Sequence, residues 1–487
     1  MYVSGQFLPE LLKPETMIDL IERAKPENVA IEYFGTNVTY SKLWEMARSV
    51  SNQLPIEKGD VVMVSTQNVP QFLILELSIW SKGGVVLPVN PSYSETELTF
   101  LARDSNAKLA ILSCESNSPV GLNVIRTNPQ TFGTIEWKVK ECEDELDYSG
   151  EGGEVSRPSP NDVAVLMYTS GTTGRPKGVP ITHANLYSSS LIYNRWFKFT
   201  EEDRVLGVSP FFHITGQVFH LTSSIMANST VVMTYRFDPN SALRSIEESK
   251  TTVTMIVATA YRAMLKAYSG QDLSSMRLWS SGGMPVHRSL EEQWRARFGT
   301  WIYVAWGLTE TTSPATLWPY PYDGKLPGDE IVSSGIPVYN TEIRVEDELL
   351  VRGPQVVKGY LNSEPFKDGW LPTGDVGEVR NGWVYVLDRK KDVIVTSGFK
   401  VMPREVEEVL LLHPAIEDAA VVGAPDEYRG ESVIAYVKLK EGFKTNVEEI
   451  IGFCRTKLAP YKVPREIRFV NEIPRTDTGK TLRRALK

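Results

Sequence analysis

The stretch that decides the fold reads Val163-Ala164-Val165-Leu166-Met167-Tyr168-Thr169-Ser170-Gly171-Thr172-Thr173-Gly174-Arg175-Pro176-Lys177-Gly178. Its first five residues are a short apolar run, the pattern of a buried strand. Tyr168 to Gly178 reads as a loop. The glycines let the backbone adopt positive φ and approach a ligand closely. The hydroxyls of Thr169, Ser170, Thr172 and Thr173, with successive backbone N–H groups, make a concavity suited to anions. Arg175 and Lys177 add positive charge. The physical reading is a loop that grips phosphate oxygens, although a plain surface turn has a similar composition. A Walker A loop is excluded because it ends Gly-Lys-Ser/Thr; here Pro176 precedes Lys177 and Gly178 follows it.

Upstream, strands alternate with helices. Ser41 to Leu54 places Leu43, Met46, Ala47, Val50 and Leu54 at helical spacing. Asp60–Thr66 and Val85–Val89 read as strands, Gln71–Trp80 and Glu95–Ala102 as helices. Downstream, Val179–His183 reads as a strand edge leading into a helix. Such alternation implies a largely parallel, doubly wound α/β sheet. Glu141 to Pro160 is polar, acidic and rich in glycine and proline, the composition of a solvated linker.

A chain of 487 residues predicts two or more domains. A formal charge of −8 argues against a general nucleic-acid binder, which would carry a basic footprint. Cys114, Cys142 and Cys454 are far apart, without metal-ligand spacing, and read as free thiols in a reducing compartment. The N-terminus lacks the pattern of a signal peptide. The apolar run Phe72–Trp80 is too short to span a bilayer and contains Glu76. These features predict a soluble, cytoplasmic protein without a membrane span.

The second half carries further motifs. Asp203–Ser209 reads as a strand running into Pro210-Phe211-Phe212-His213-Ile214-Thr215-Gly216. A histidine there suggests a ligand wall rather than a core position. Thr252–Val257 is a predicted strand and Tyr261–Tyr268 a helix. Leu278-Trp279-Ser280-Ser281 reads as a strand ending at Gly282-Gly283, before a helix over Arg288–Phe298. In Trp306-Gly307-Leu308-Thr309-Glu310-Thr311, Glu310 is a hard carboxylate suited to Mg²⁺ beside phosphates, and Thr309 can hydrogen-bond an α-phosphate oxygen. In Thr373-Gly374-Asp375 one carboxylate can accept from both hydroxyls of a ribose. Beyond the charged run at Arg389-Lys390-Lys391-Asp392, strands at Val393–Val395, Ala419–Val422 and Val433–Leu439 and helices at Pro403–Leu412 and Val447–Leu458 make a compact α+β unit. The tail reads Ile473-Pro474-Arg475-Thr476-Asp477-Thr478-Gly479-Lys480.

Five motifs in this order and spacing, from about Thr39 to Arg484, resemble the adenylate-forming superfamily, and most closely its AMP-forming acyl-CoA synthetases. The resemblance implies a large N-terminal domain, 1–388, of doubly wound sheets with a distorted β-barrel part. It implies a hinge at 389–392 centred on Lys391 and a small mobile domain at 393–487. In the implied chemistry a carboxylate, fatty or aryl, attacks MgATP to give an acyl-adenylate and pyrophosphate. The thiol of CoA then takes the acyl group and AMP leaves.

Carried over residue by residue, Lys480, Thr309, Glu310 and His213 are catalytic. Thr169 to Gly174, Lys177, Ser281, Gly282, Gly283, Trp306, Gly307, Asp375 and Arg389 bind the nucleotide. Glu310 holds Mg²⁺, Gly398 serves the thiol step, and His213, Gln217, Ala258, Ser281 and Met284 shape the acyl pocket. Two departures stand out. Trp306 occupies the usual position of an adenine-stacking tyrosine, and Ala258-Thr259-Ala260 stands where relatives carry a Val-Pro pair. A carrier-protein thiol in place of CoA, a luciferase-like oxygenase and a non-ligating ATP-binding protein all remain open, as does a homodimeric state.

Overall fold

Runs of β-branched residues bounded by glycine or proline build two large sheets. The computed structural model describes residues 1–170, 176–328, 331–476 and 479–486. In a six-stranded sheet, Asn123–Thr127, Ala107–Ser113, Val61–Ser65, Val85–Pro88 and Val163–Ser170 run parallel, and Pro176–Thr182 closes the edge antiparallel. In a nine-stranded sheet the parallel core runs Tyr303–Trp306, Leu278–Ser281, Val253–Met255, Arg204–Gly207, Thr230–Met233 and Val29–Tyr33. Parallel strands buried on both faces are apolar along their length, and all four residues of Leu278–Ser281 are buried.

The helix Pro70–Ser81 ties the sheets together. Every one of its residues is buried, as expected of a helix apolar all round. Trp80 donates to the Ala164 carbonyl of the first sheet at 2.9 Å. Just before the helix, Asn68 donates to the carbonyls of Gly207 and Ser209 in the second, at 3.2 and 2.9 Å.

The predicted alternation is present, with most ends displaced by one or two residues. Asp60–Thr66 becomes Val61–Ser65, and the helix Arg288–Phe298 keeps its predicted ends. The helix Pro239–Ser249 and the wide-turned helix Gly216–Thr222 were not read from the sequence. The expected loop Tyr168–Gly178 is narrower than its composition suggests. Tyr168, Thr169 and Ser170 continue the strand and pair with Gly178, Lys177 and Pro176. Gly171, Thr172, Thr173, Gly174 and Arg175 lie outside the described residues.

No closed barrel forms among the described residues. Tyr2–Ser4, Glu342–Val345, Leu349–Arg352 and Leu371–Pro372 make an open four-stranded sheet, and Asp375–Arg380 and Trp383–Arg389 a separate two-stranded ribbon. The edge strand is two residues long and ends in Pro372. Proline donates nothing to a further strand, so the edge stops there.

The C-terminal α+β unit contains a five-stranded sheet and the helices Pro403–Leu411 and Val447–Arg455. Its apolar core, including Ile394, Val406, Val421, Val437 and Ile450, shares no residue with the cores built from the first 386 positions. Among the described residues no helix is long and apolar enough to cross a membrane.

Two expectations fail. The acidic segment 141–160 lacks regular structure but is not a solvated linker. Asp147 accepts from Ser49 and Gln53 at 2.8 and 2.6 Å, and Gly153 accepts from Arg48 at 3.2 Å. Leu146 is buried, and Tyr148 packs edge-on against Phe132. A few anchors therefore hold a stretch whose average composition is polar.

Nor are the three cysteines all free. Cys114 and Cys142, 28 residues apart, form a disulfide, and only Cys454 is a buried free thiol. The backbone N–H of Cys114 bonds Thr127 at 3.3 Å, and Asn128 donates to the Cys142 carbonyl at 2.9 Å. One strand end thus gathers both residues, which spacing alone does not reveal. The reducing-compartment reading loses its basis, since disulfides persist in oxidising surroundings. Denatured, unreduced protein should take up one alkyl adduct, and reduced protein three. Equal uptake in both samples, read by intact mass, would show that the bond does not form.

Candidate active site

The site lies where strands of the two sheets end, the crevice that open α/β sheets offer to ligands. Tyr303–Trp306 gives way to Gly307 and a single 3₁₀ turn, Thr309–Thr311. A Cβ on Gly307 would fall 1.5 Å from the Ser313 carbonyl oxygen, so the chain can double back only over glycine. Thr311 accepts from the Leu308 N–H at 2.8 Å and closes the turn. Thr312 and Ser313 take φ of 47° and 91°, conformations held only where surrounding structure imposes them, often at functional sites.

This turn buries Glu310 and aims its carboxylate at Tyr360, whose hydroxyl donates to Oε1 at 2.9 Å. Burial, and then the charge of Glu310, push the Tyr360 hydroxyl above its ordinary range. The Lys177 ammonium stands 4.8 Å from the centre of the Tyr360 ring. Leu361 N–H bonds the Gly178 carbonyl at 2.8 Å, which brings the two segments together. Tyr360 is not among the candidate residues that the sequence singles out. Its one signal was position, next to the glycine of Gly359-Tyr360-Leu361-Asn362.

Asp375 and Arg389 are directly opposite in the two-stranded ribbon, which explains their spacing in the chain. Arg389 Nε lies 3.0 Å from Asp375 Oδ1. Trp306 Nε1 donates to Oδ2 at 2.9 Å. Asp375 is 3 % exposed. Burial raises its pKa more than Arg389 and the Trp306 bond lower it.

Lys480 reaches this cluster from the C-terminal tail. Its Cε is 4.0 Å from where a Cβ would stand on Gly283. Gly479 has φ +81°, and a Cβ there would lie 2.7 Å from Thr259 Oγ1. Both features admit the tail close to the strand end. Burial lowers the pKa of Lys480, and Arg389 adds to this; Asp375 and Glu310 act against it. His213 is pushed down to about 3 by burial and then by Lys480, so its imidazole is neutral.

Arg475 braces the tail, donating to the Gly479 carbonyl at 3.0 Å and meeting Asp418 at 2.5 Å. Asp418 also meets Arg262 of the helix Ala258–Ala267 at 3.1 Å, which links tail and body.

The remaining predicted residues are spread more widely. Gly282, Met284 and Thr309 border the same strand ends. Ala258 and Ser281 are buried, and Ser281 Oγ has no hydrogen-bond partner. Gln217 is also buried, donating to the Phe211 carbonyl at 3.0 Å, with its amide beside Glu76. Gly398 stands at an exposed hairpin tip with φ +82°, and Lys391 is exposed. Neither touches the Lys480 cluster.

The family model described as AMP-binding enzyme matches residues 21–361, and that of the AMP-binding enzyme C-terminal domain matches 405–480. The chain belongs to the AMP-binding enzymes. This AMP-binding enzyme is 32% identical to a long-chain-fatty-acid–CoA ligase of Bacillus subtilis, covering 95% of this chain and 91% of the relative. It is 32% identical to a 2-succinylbenzoate–CoA ligase of Geobacillus, covering 96% of each. Among solved structures it resembles the o-succinylbenzoate CoA synthetase of Bacillus subtilis in complex with its acyl-adenylate intermediate. That match has a TM-score of 0.85 and 29% identity, covering 98% of each chain. The same enzyme in complex with ATP and magnesium superposes with a TM-score of 0.81 at 29% identity, covering 97% of this chain and 99% of the other.

The buried Glu310–Tyr360 bond yields a prediction. Glu310→Gln should cut pyrophosphate exchange into ATP roughly a hundredfold or more, as loss of a preorganised electrostatic group does, with little change in melting temperature. Tyr360→Phe should cost about tenfold. Near-normal exchange in both variants would detach the pair from the reaction.

Proposed function

We propose that this AMP-binding enzyme is an AMP-forming carboxylate–CoA ligase acting on a fatty or aryl acid. One observation carries the reading. A lysine ammonium is brought to the strand ends among Asp375, Glu310 and Arg389, and burial leaves its charge short of solvent.

Phosphoryl chemistry of this kind depends on positioning and charge stabilisation. Ser170 to Lys177 would hold the β- and γ-phosphates, and Thr309 the α-phosphate. Trp306 would stack on adenine, and Asp375, steadied by Arg389, would accept the ribose hydroxyls. Lys480 would bridge the acid's carboxylate and the α-phosphate while negative charge moves between them. Neutral His213 would form the wall between acyl group and thiol, and Ala258 and Met284 would line the acyl side.

Glu310 fits Mg²⁺. No group of three or more His, Cys, Asp or Glu that could hold a metal occurs among the described residues. Mg²⁺ in nucleotide sites is commonly held by one or two carboxylates plus substrate phosphates. Tyr360 occupies one lone pair of Glu310, and a carboxylate has others. The ion would neutralise phosphate charge.

The thiol step needs a second arrangement. Gly398 is exposed here while Lys480 faces the site, so we take 389–392 as a hinge between domains 1–388 and 393–487. Rotation there would break the Arg262–Asp418 contact, withdraw Lys480 and present Gly398. Both arrangements must lie within a few kcal/mol of each other.

The test separates the half-reactions. Lys480→Ala should abolish adenylate formation, yet still convert supplied acyl-adenylate and CoA to thioester. Gly398→Leu should make adenylate and pyrophosphate but little thioester. Loss of the same half-reaction by both variants would end the alternation reading. Failure of wild-type enzyme to release AMP with any fatty or aryl acid plus CoA would end the ligase reading.

A further inference from the structure

The Trp306 indole has a hydrogen-bonding edge that stacking does not use. Nε1 donates to Asp375 Oδ2 at 2.9 Å, while Arg389 Nε holds Oδ1 at 3.0 Å. The two partners come from different elements, the strand Tyr303–Trp306 and the ribbon strand Trp383–Arg389. Oδ2 is thereby tethered through one lone pair and keeps another, while Oδ1 is held by the charge of Arg389. Both oxygens keep a lone pair that one hydroxyl of a ribose can donate to.

The indole is itself held in place. Trp306 is 9% exposed and packs in an apolar cluster with Ala315, Ile343, Leu349, Val351 and Val384. A donor locked by packing fixes its acceptor better than a mobile surface group would. The contact is specific to tryptophan. The nitrogen lies in the ring edge, and neither phenylalanine nor tyrosine has a donor there.

We propose that Trp306 is a positioning residue for the nucleotide's ribose. Through Nε1–H it sets the Asp375 carboxylate in the orientation that receives the 2′- and 3′-hydroxyls, in addition to any contact with adenine. The inference rests on the ribose role proposed for Asp375.

A double-mutant cycle tests it. Trp306→Phe keeps an aromatic face and removes the donor. KM and kcat for ATP and for 2′-deoxy-ATP are measured by pyrophosphate exchange in wild type, W306F, D375A and the double variant. W306F should raise KM for ATP about tenfold, the scale of one hydrogen bond to a charged group, with kcat little changed. It should also weaken the preference for ATP over 2′-deoxy-ATP. In the D375A background the same substitution should change KM less than about twofold, because coupled residues are non-additive.

Equal fold-changes in both backgrounds would overturn the proposal and leave Trp306 an adenine contact alone. A D375A enzyme that keeps both the wild-type KM and the wild-type preference would instead sink the ribose reading, and this inference with it. Should W306F melt far below wild type, Trp306→Tyr, which likewise has no donor at the ring edge, replaces it in the cycle with the same expected outcomes.

Discussion

A buried charge must be paired, solvated or given up, because an isolated one costs more than the stability margin of a whole domain. The site is arranged around that constraint. Asp375 is met by Arg389 and Trp306. Glu310 is met by Tyr360. Asp418 is shared between Arg262 and Arg475, which together hold its pKa below the ordinary range despite burial. Where no charged partner is available, burial disfavours the charge. Glu76, fully buried in the central helix, has its pKa raised well above normal by burial, with only the Gln217 amide acting against it. Lys480 is the poised case, short of solvent and facing carboxylates that also serve other groups.

That balance explains why two separately cored units meet where they do. The C-terminal unit has its own apolar interior, and several polar contacts join it to the body. Besides Asp418, Arg404 donates to the carbonyls of Val386 and Val332 at 2.6 and 3.3 Å, and His287 Nδ1 stands 2.9 Å from Glu408. Arg404, His287 and Glu408 are buried, so parting them is costly unless water or new partners replace the lost contacts. The reorientation proposed for the second step therefore requires that Arg404, Glu408 and Asp418 be re-paired or hydrated.

Much of the architecture was legible in the sequence because it depends on local pattern. Apolar runs between glycines gave the parallel strands, and the order of the motifs gave the family. The meeting of Lys480, Glu310, Asp375 and Arg389 was also legible, through resemblance. What was hidden depends on contacts between distant segments. Tyr360 matters through Glu310 and Lys177, neither of which is its neighbour in sequence. Cys114 and Cys142 meet because Asn128 folds one segment back on another. The segment 141–160 is held by Arg48, Ser49 and Gln53, while its composition suggested water on all sides. Trp306 was read for its ring face; the bond at its edge required the fold.

The close approach of Gly479 to Thr259 has a consequence for how such enzymes diverge. The two positions lie in different units, yet the volume allowed at one is set by the other, since a Cβ at 479 would meet the threonine hydroxyl at 2.7 Å. Neither unit is therefore fully interchangeable. A terminal unit borrowed from a relative arrives with a tail fitted to that relative's residue at position 259, and a mismatch would move the lysine that follows Gly479. Substitutions at 259 and 479 should accordingly be inherited as a pair.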